Sequence, residues 1–586
     1  MTSNKTFRLV LIKPSHYDSD GYVIRWWRGG LPSNSLACLH GIALNCRERQ
    51  VLGTDVDIDI EAIDETNRKV RIDALARSIQ SAGAGMVMLV GVQSNQFPRA
   101  LDIARQFRGR GIQVAVGGFH VSGTLAMLPD CDPDMREIMA LRVSVFAGEA
   151  EGRLELVLKD ALAGQLQAKY DFLNDLPHLE GQSLPIIPQA QIARVMGRTT
   201  SFDAGRGCPF QCSFCTIINV QGRKSRRRSP DDIETLIRAN VAQGIHAFFI
   251  TDDNFARNKD WELLLDRIIA LRETEGWQLS FTIQVDTLCH KLPNFVEKCA
   301  RAGVRRCFIG LENINPDSLL GAKKRQNKIT DYREMMLAWK QAKIVTVGGY
   351  ILGFPNDTLA SIVRDIRIIQ DELPIDMLEF FFLTPLPGSE DHKTLYAKGV
   401  AMDPDLNKYD LDHVTVAHAT MSQAEWEDAY RMAWTTYYSW AHVETIMRRA
   451  AASGNSVNRI KTFVLYFRGY HPIEHVHPLE GGVLRLKSRR ERRPHLPTES
   501  AWLFYPRFIA ETATKAAQWA TLAIRLERLA RKVKRDPNRL TYTDKALTPW
   551  VDPTENLELF KTRSSQAFLD QRRHIEEAQK RTIPAS

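Results

Sequence analysis

Between residues 199 and 384 the sequence repeats one alternation six times, a short apolar run followed by a longer segment with helical spacing. The runs read TTSFDAG, HAFFIT, LSFTIQV, RRCFIGLE, IVTVGGYILG and MLEFFFLT. Continuous apolar strands separated by helices demand a parallel sheet covered by those helices. Six βα units at roughly 30 residues each need about 180 residues, and this span accommodates them. Six strands fall short of the eight that close a full barrel, so the pattern predicts a partial (β/α)6 barrel. One helix start is plainly written. Ser229 supplies a cap, Pro230 a first-turn residue, and Asp231 and Asp232 the acids that suit the positive end of the dipole.

A second alternation precedes the first, from residue 7 to about residue 155. RLVLIKP, VDIDIEAID, GMVMLVGV, IQVAVGGF and VSVFAGE are strand candidates, with helices expected around 36–46, 72–82 and 99–108. This predicts a doubly wound, Rossmann-like α/β domain, whose ligand should lie beyond the carboxyl ends of the strands. The loops there read QSNQ, GGFHVSG and GEAEG, and their small residues would let a large flat or phosphate-bearing ligand approach the backbone. LPHLEGQSLPIIPQAQ reads as a linker. After about residue 410 the strand pattern fades. MSQAEWEDAYRMAWTTYYSWAHV is helical and aromatic, and over 508–535 Trp519, Leu522, Leu526, Leu529 and Val533 recur at intervals of three and four before Pro537. That helix ends in a run of cations, and it could pack on the core or touch an anionic membrane surface. The expected organisation is an α/β domain over 1–160, a linker over 161–198, the barrel over 199–410 and a helical, basic extension over 411–586.

Composition narrows the class. The chain has 586 residues, 44% apolar and 25% charged, as a soluble multidomain protein requires. No run approaches the roughly 18 uninterrupted apolar residues of a membrane span. MTSNKTFRLVLIKPS stops its apolar run at Lys13 and Pro14, so it reads as a first strand and not a secretory leader, and a cytoplasmic location is expected. The net charge of +9 gathers in QGRKSRRRS and in the last hundred residues, as a solvated face or an attraction for acidic partners. No nucleic-acid partner is expected. Of nine cysteines, Cys38, Cys46, Cys131, Cys289, Cys299 and Cys307 are scattered singly and read as buried thiols.

The other three, Cys208, Cys212 and Cys215, share RGCPFQCSFC with C-x3-C-x2-C spacing. Thiolates suit zinc, copper or iron–sulfur clusters. A structural zinc site takes four ligands, usually as two pairs, and no second pair is near. Cys289 is the next cysteine and His246 the next histidine. Three ligands on one loop fit a cubane cluster with one iron left open to a substrate.

With Phe214 before the last cysteine and the RGCP lead-in, this triad resembles the cluster motif of the radical S-adenosylmethionine (SAM) superfamily. The resemblance implies a 4Fe–4S cluster, SAM bound at the open iron, and an external low-potential electron donor whose electron releases a 5′-deoxyadenosyl radical. It places Phe214 near the adenine. Asp252, Asp253 and Asn254, in TDDNF after the second strand, would hold the methionine amino group, or else start a helix. Gln284 would end the third strand. Glu312 would face the substrate or ribose, or form a surface salt bridge. Gly353, in GGYILGFPNDT, would lie near the adenine, and TPLPGSE would form the turn after the sixth strand. The arginines of GRKSRRRS are expected to include one that fixes the cluster loop, with most of them exposed.

The front domain is similar to the cobalamin-binding domain of cobalamin-dependent radical SAM enzymes, which extends the resemblance over residues 7–440. It implies that Gly117 and Gly118 admit the corrin or its nucleotide tail, with Gln93, Ser94, His120 and Glu149 on neighbouring loops. The Asp-x-His-x-x-Gly motif of cobalamin mutases is absent, so His120 is not expected to ligate cobalt. Trp26 and Trp27 would cover the corrin face or belong to the core. The implied reaction is methylation of an unactivated carbon of a small-molecule or lipid-like substrate. The alternatives are a radical cyclisation or rearrangement, and a non-catalytic iron–sulfur electron carrier or structural protein. HPIEHVHPLE, with His471, His475 and His477, has spacing that suits either a metal or a surface loop.

Overall fold

The computed structural model describes residues 5–128, 133–548 and 558–560; Cys131 lies outside them. The chain forms two compact units, one from 1–283, 384–416 and 470–519, the other from 284–383, 417–469 and 520–586.

The first unit begins with β1 (Lys5–Lys13), β2 (Trp26–Gly29), β3 (Val56–Asp64), β4 (Gly83–Leu89), β5 (Gln113–Gly117), β6 (Ser144–Ala147) and β7 (Lys169–Asp171). All but β2 form one parallel sheet in the order β3-β1-β4-β5-β6-β7. Alternate residues of β1 enter two cores. Val10 and Ile12 pack with Val87, Leu89 and Phe107 on one face, and Leu9 and Leu11 with Met86, Met88 and Leu36 on the other. A strand buried on both faces must be apolar throughout, which is why RLVLIK does not alternate. From β1 the chain winds outward to β3 and then returns to β4 on the other side. That reversal opens a crevice at the carboxyl ends of the strands.

β7 lies inside the expected linker, so the boundary at residue 160 cuts the sheet. Three residues, KYD, are too short to show a period, yet Tyr170 is buried and its hydroxyl donates to Asp160 at 2.7 Å. The unit continues with β8 (Thr199–Phe202), the short antiparallel pair β9 (Gly205–Arg206) and β10 (Arg226–Arg227), then β11 (Ala247–Ile250) and β12 (Ser280–Val285), within which the unit boundary falls.

The second unit contains β13 (Val304–Glu312), β14 (Val345–Leu352) and β15 (Met377–Phe382). The six expected barrel strands thus all form: in the first unit β8 pairs with β11 and β11 with β12, in the second β13 pairs with β14 and β14 with β15, all parallel. The aromatic segment becomes the helix Gln423–Tyr437, started by a Ser422–Glu425 capping box. Its i, i+4, i+8 stripe of Trp426, Tyr430 and Trp434 covers β15, with Tyr430 stacked on Phe382 at 4.3 Å and Trp434 edge-on to Phe380 at 5.2 Å.

The extension is not wholly helical. A final strand, β16 (Gly482–Arg485), pairs antiparallel with β2. The basic helix starts earlier than its periodicity suggests and spans Ala501–Arg535. Toward its basic end Leu526, Ala530 and Val533 are fully buried, and Lys532 pairs with Glu444 and Arg531 with Glu527, so this end packs. Near its start the opposite holds. Trp502 is 90% exposed and Leu503, Tyr505 and Ile509 are more than half exposed. No helix among the described residues is long and apolar enough to cross a membrane.

Candidate functional site

At the carboxyl ends of β4, β5 and β6 the first unit encloses a cavity of about 240 Å³. Met88, Val90, Ala115, Val116, Phe146 and Leu154 give it apolar walls, Gly91, Gly117 and Gly118 a floor of bare backbone, and Asn34, Ser35, Ser122 and Glu149 polar edges. Such a lining suits a flat heterocycle carried on a polar chain, the shape of cobalamin's nucleotide tail, and the volume is too small for a whole corrin. Asn34, Ser35, Cys38 and Leu39 come from the helix Asn34–Glu48, which the sequence reading left out of the site. The signal was present: Ser33 accepts from the Leu36 N–H at 3.2 Å as an N-cap, at the first helix after β1, where a doubly wound sheet opens its crevice.

Several expected contacts are corrected. Gly118 lines the cavity but its conformation answers to the protein: at φ +145°, a Cβ would lie 2.1 Å from the Val92 nitrogen. Gln93, Ser94 and His120 do not line the cavity. The loop after β4 turns at once into a helix, so Gln93 caps the turn Ser94–Gln96. His120 is buried against the Phe97 ring at 4.3 Å, with Nδ1 3.3 Å from Ser94 Oγ; burial, and secondarily His392, push it down to about 3. Trp26 and Trp27 are also absent from the lining. Trp26 is a core residue donating to the Glu480 carbonyl at 2.9 Å, and Trp27 is half exposed beneath Arg28.

One edge of the cavity is a buried charge cluster. Arg206 donates to Glu149 at 2.7 Å, Glu151 at 2.6 Å and Asp203 at 3.0 Å, and its Nη2 lies 3.5 Å from the Cys38 sulfur. Arg226 also binds Glu149 at both carboxylate oxygens, and Arg228, fully buried, donates to the Asp203 carbonyl at 3.0 Å. Burial opposes the charge on Asp203, but Arg206 and Arg228 overcome it and hold the carboxyl well below the usual range. Glu149 is therefore a tether, with both oxygens already taken. The expectation of a mostly exposed GRKSRRRS is likewise corrected: Arg226 and Arg228 point inward, and Arg227 pairs with Asp260. A run of like charges does not reveal that β10 pairs with β9 and carries its arginines to buried acids.

Arg206 leads directly into the cysteine loop. Cys212 is buried, and Cys208, Phe214 and Cys215 are half-buried. The Cys208 N–H donates to Gly222 O at 3.3 Å and the Asp391 N–H to Ser213 O at 3.1 Å, so the loop is held at both ends. Desolvation, then the adjacent Cys212, raise the Cys215 thiol to about 12. Among the described residues no three His, Cys, Asp or Glu side chains converge as ligands of a single ion. A cubane asks for something else, one cysteine per iron, and three thiols on one pinned loop supply it. His471, His475 and His477 do not converge either; His477 accepts from the Leu479 N–H as a cap.

Asp252 ties the base of this loop, accepting from the Ala204 and Gly205 N–H groups at 2.7 and 2.8 Å and from Asn258 at 3.0 Å. Asp253 lines the cavity beside Thr251. Burial raises both carboxyls to about 7. Asn254 precedes the short turn Phe255–Arg257 without a side-chain cap bond.

The other expected residues belong to the second unit. Gln284 is half-buried in β12. Glu312 ends β13 at φ +62°, where the register with β14 shifts, and pairs with Lys324. A non-glycine residue in that region is strained and must be held; Asn327 donates to the Leu311 carbonyl at 2.8 Å and the Tyr332 hydroxyl to the same oxygen at 3.0 Å. Gly353, at φ +101°, is demanded by packing, since a Cβ would fall 1.9 Å from the Trp426 ring. Its N–H and that of Phe354 both donate to Asp357 at 2.9 Å.

The first unit thus holds a pinned three-cysteine loop after β8 and β9, and a cavity at the carboxyl ends of the doubly wound sheet. The radical SAM superfamily model matches residues 203–369. The chain is 24% identical over 374 residues to the bacteriochlorophyllide d C-8(2)-methyltransferase of Chlorobaculum tepidum, covering 61% of this chain and 78% of that one. It is also 24% identical over 377 residues to the hopanoid C-2 methylase of Rhodopseudomonas palustris, covering 64% and 68%. The structure of the radical SAM methyltransferase TsrM from Kitasatospora setae, with cobalamin and a 4Fe–4S cluster bound, shares the fold with a TM-score of 0.53 at 14% identity, over 80% of this chain and 99% of that one.

Proposed function

We propose that the protein is a cobalamin-dependent radical SAM methyltransferase that methylates an unactivated carbon of a largely apolar small molecule. The observation that carries this reading is the Arg206 cluster, which joins the cysteine loop to the GEAEG loop of the cobalamin-type sheet. Cys208, Cys212 and Cys215 would hold the cluster, and the cavity beside Gly117 would take the nucleotide tail of the cobalamin. When bound, these groups supply a 5′-deoxyadenosyl radical and a transferable methyl group. The protein's own residues do the positioning. Glu149 and Glu151 hold Arg206, Asp252 holds the backbone of Ala204 and Gly205, and together they fix where the loop presents its sulfurs. Asp253, raised to about 7, is a cavity-lining group able to carry a proton near neutrality.

The substrate class is supported by the two relatives, named for bacteriochlorophyllide and hopanoid. Peripheral membrane contact fits the same chemistry. The surface suited to it is the start of the helix Ala501–Arg535, with Trp502, Leu503, Tyr505 and Ile509 exposed, and not the packed basic end.

Anaerobic purification and cluster reconstitution with cobalamin supplied tests the reading. About four irons and one cobalt per chain are expected. Four irons without cobalt would overturn methyl transfer and spare the radical assignment; zinc in place of iron would overturn both. Cys212→Ala should abolish 5′-deoxyadenosine formation.

A further inference from the structure

Pro209, the residue after Cys208, is exposed and forms part of a groove of about 610 Å³ in the first unit. The groove carries six cations, Arg223, Lys224, Arg226, Arg227, Arg257 and Lys259, against one carboxylate, Glu180. Three of the six are otherwise engaged. Arg226 is neutralised by Glu149 and Arg227 by Asp260, and Arg257 lies over the Phe210 ring at 5.8 Å. Arg223, Lys224 and Lys259 are exposed, and among the described residues no carboxylate pairs with them. Gathering unpaired like charges costs free energy through mutual repulsion, and it gains the fold nothing. Its benefit is outside the molecule, since a concave surface lined by one sign of charge steers an oppositely charged partner and sets its orientation.

We infer that this groove is the docking site for an acidic electron-carrier protein of the ferredoxin or flavodoxin class, which delivers an electron to the cluster through the Cys208–Pro209 corner. The inference rests on the radical SAM reading and adds to it a place of entry. The step is a single electron transfer: the carrier's centre is oxidised by one electron, the cluster is reduced by one, and no bond or proton changes hands. The position selects the partner. A carrier seated against Pro209 stands one residue from a cluster ligand, which a redox partner needs and other anions do not. Size argues the same way. Specific duplex binding commonly neutralises about six to ten phosphates along a stripe, whereas this is a short groove with three uncompensated cations.

The test uses the reconstituted holoenzyme and measures cluster reduction by stopped-flow absorbance with two reductants, an acidic two-cluster ferredoxin in its reduced form and titanium(III) citrate. Reduction of the wild type by ferredoxin should slow about tenfold between low and high salt. The double variant K224E/K259E should be reduced by ferredoxin about tenfold more slowly at low salt, and K224Q/K259Q by an intermediate factor. With titanium citrate both variants should match the wild type in reduction rate and in 5′-deoxyadenosine yield. An unchanged ferredoxin rate in K224E/K259E would overturn the inference, as would equal slowing with both reductants, which would mean a damaged cluster loop. Tight, salt-sensitive binding of an oligonucleotide that both variants lose, with ferredoxin reduction unaltered, would assign the groove to nucleic acid instead. A wild type that takes up no iron would fail differently, at the radical SAM reading itself.

Discussion

Arg206 and Glu151 meet at 2.6 Å in the buried interior of the first unit, and that contact makes the cysteine loop depend on the loop that follows β6. Glu149 and Asp203 share the same guanidinium. Arg206→Met should therefore leave three buried carboxylates without their common cation. Removing one partner of a buried pair costs about 3–5 kcal/mol, so the variant should melt well below the wild type and retain less iron after reconstitution. Calorimetry and iron analysis check this, and wild-type values in both would refute the clamp.

Gly353 should tolerate no side chain while Trp426 is present. The added carbon of Gly353→Ala would overlap the indole, and overpacking of this kind costs about 1–3 kcal/mol. In a Trp426→Leu background the same substitution should cost less, leaving the strain of alanine at φ +101°. A urea double-mutant cycle measures the difference, and strict additivity would show that the two residues do not touch.

Acid should weaken the fold through its buried histidines. His120 is held neutral, with its pKa lowered to about 3 in the fold against about 6.5 unfolded. Its contribution is complete above pH 6.5 and is lost as pH falls toward 3, at about 1.4 kcal/mol per unit. His442, also lowered to about 3, acts in the same sense. The raised carboxyls of Asp252, Asp253 and Glu379 slope the other way, losing stability as pH rises from about 4 toward their folded values of about 7, 7 and 8. The difference between wild type and His120→Gln isolates the histidine: the variant should lose stability less steeply between pH 6 and 4. Parallel curves would contradict the assignment.

Vesicle binding should depend on the start of the long helix. Wild type should cosediment with vesicles containing anionic lipid, and Trp502→Asp with Ile509→Asp should release it, because both side chains stand in solvent. Substituting Arg531 and Lys532, which pair with Glu527 and Glu444, should change little. The reverse order of effects would return the contact to the basic end.

Much of this was legible in local pattern. All six barrel strands lie where the apolar runs put them, and the Ser229 cap and its acids start a helix as written. The short edge strand β7 was not legible, because three residues carry no period. Nor was the ribbon of β2 and β16, whose partners are brought together from opposite ends of the chain.

Sequence by itself determined the strand and helix alternation and the close spacing of the three cysteines, since both are set by residues close together along the chain. Only the tertiary structure decided what the neighbouring side chains do. Glu149 reads as a cofactor contact until Arg206, 57 residues away, takes its carboxylate. Gly118 reads as room for the corrin or its tail, and Gly353 as a neighbour of the adenine, until Val92 and Trp426 are found where their side chains would stand. His120 reads as a polar loop residue until it is buried against Phe97. The physical reason is common to all four: a side chain's role follows from what it touches, and in these cases the partner comes from another loop, strand or helix that only folding brings alongside.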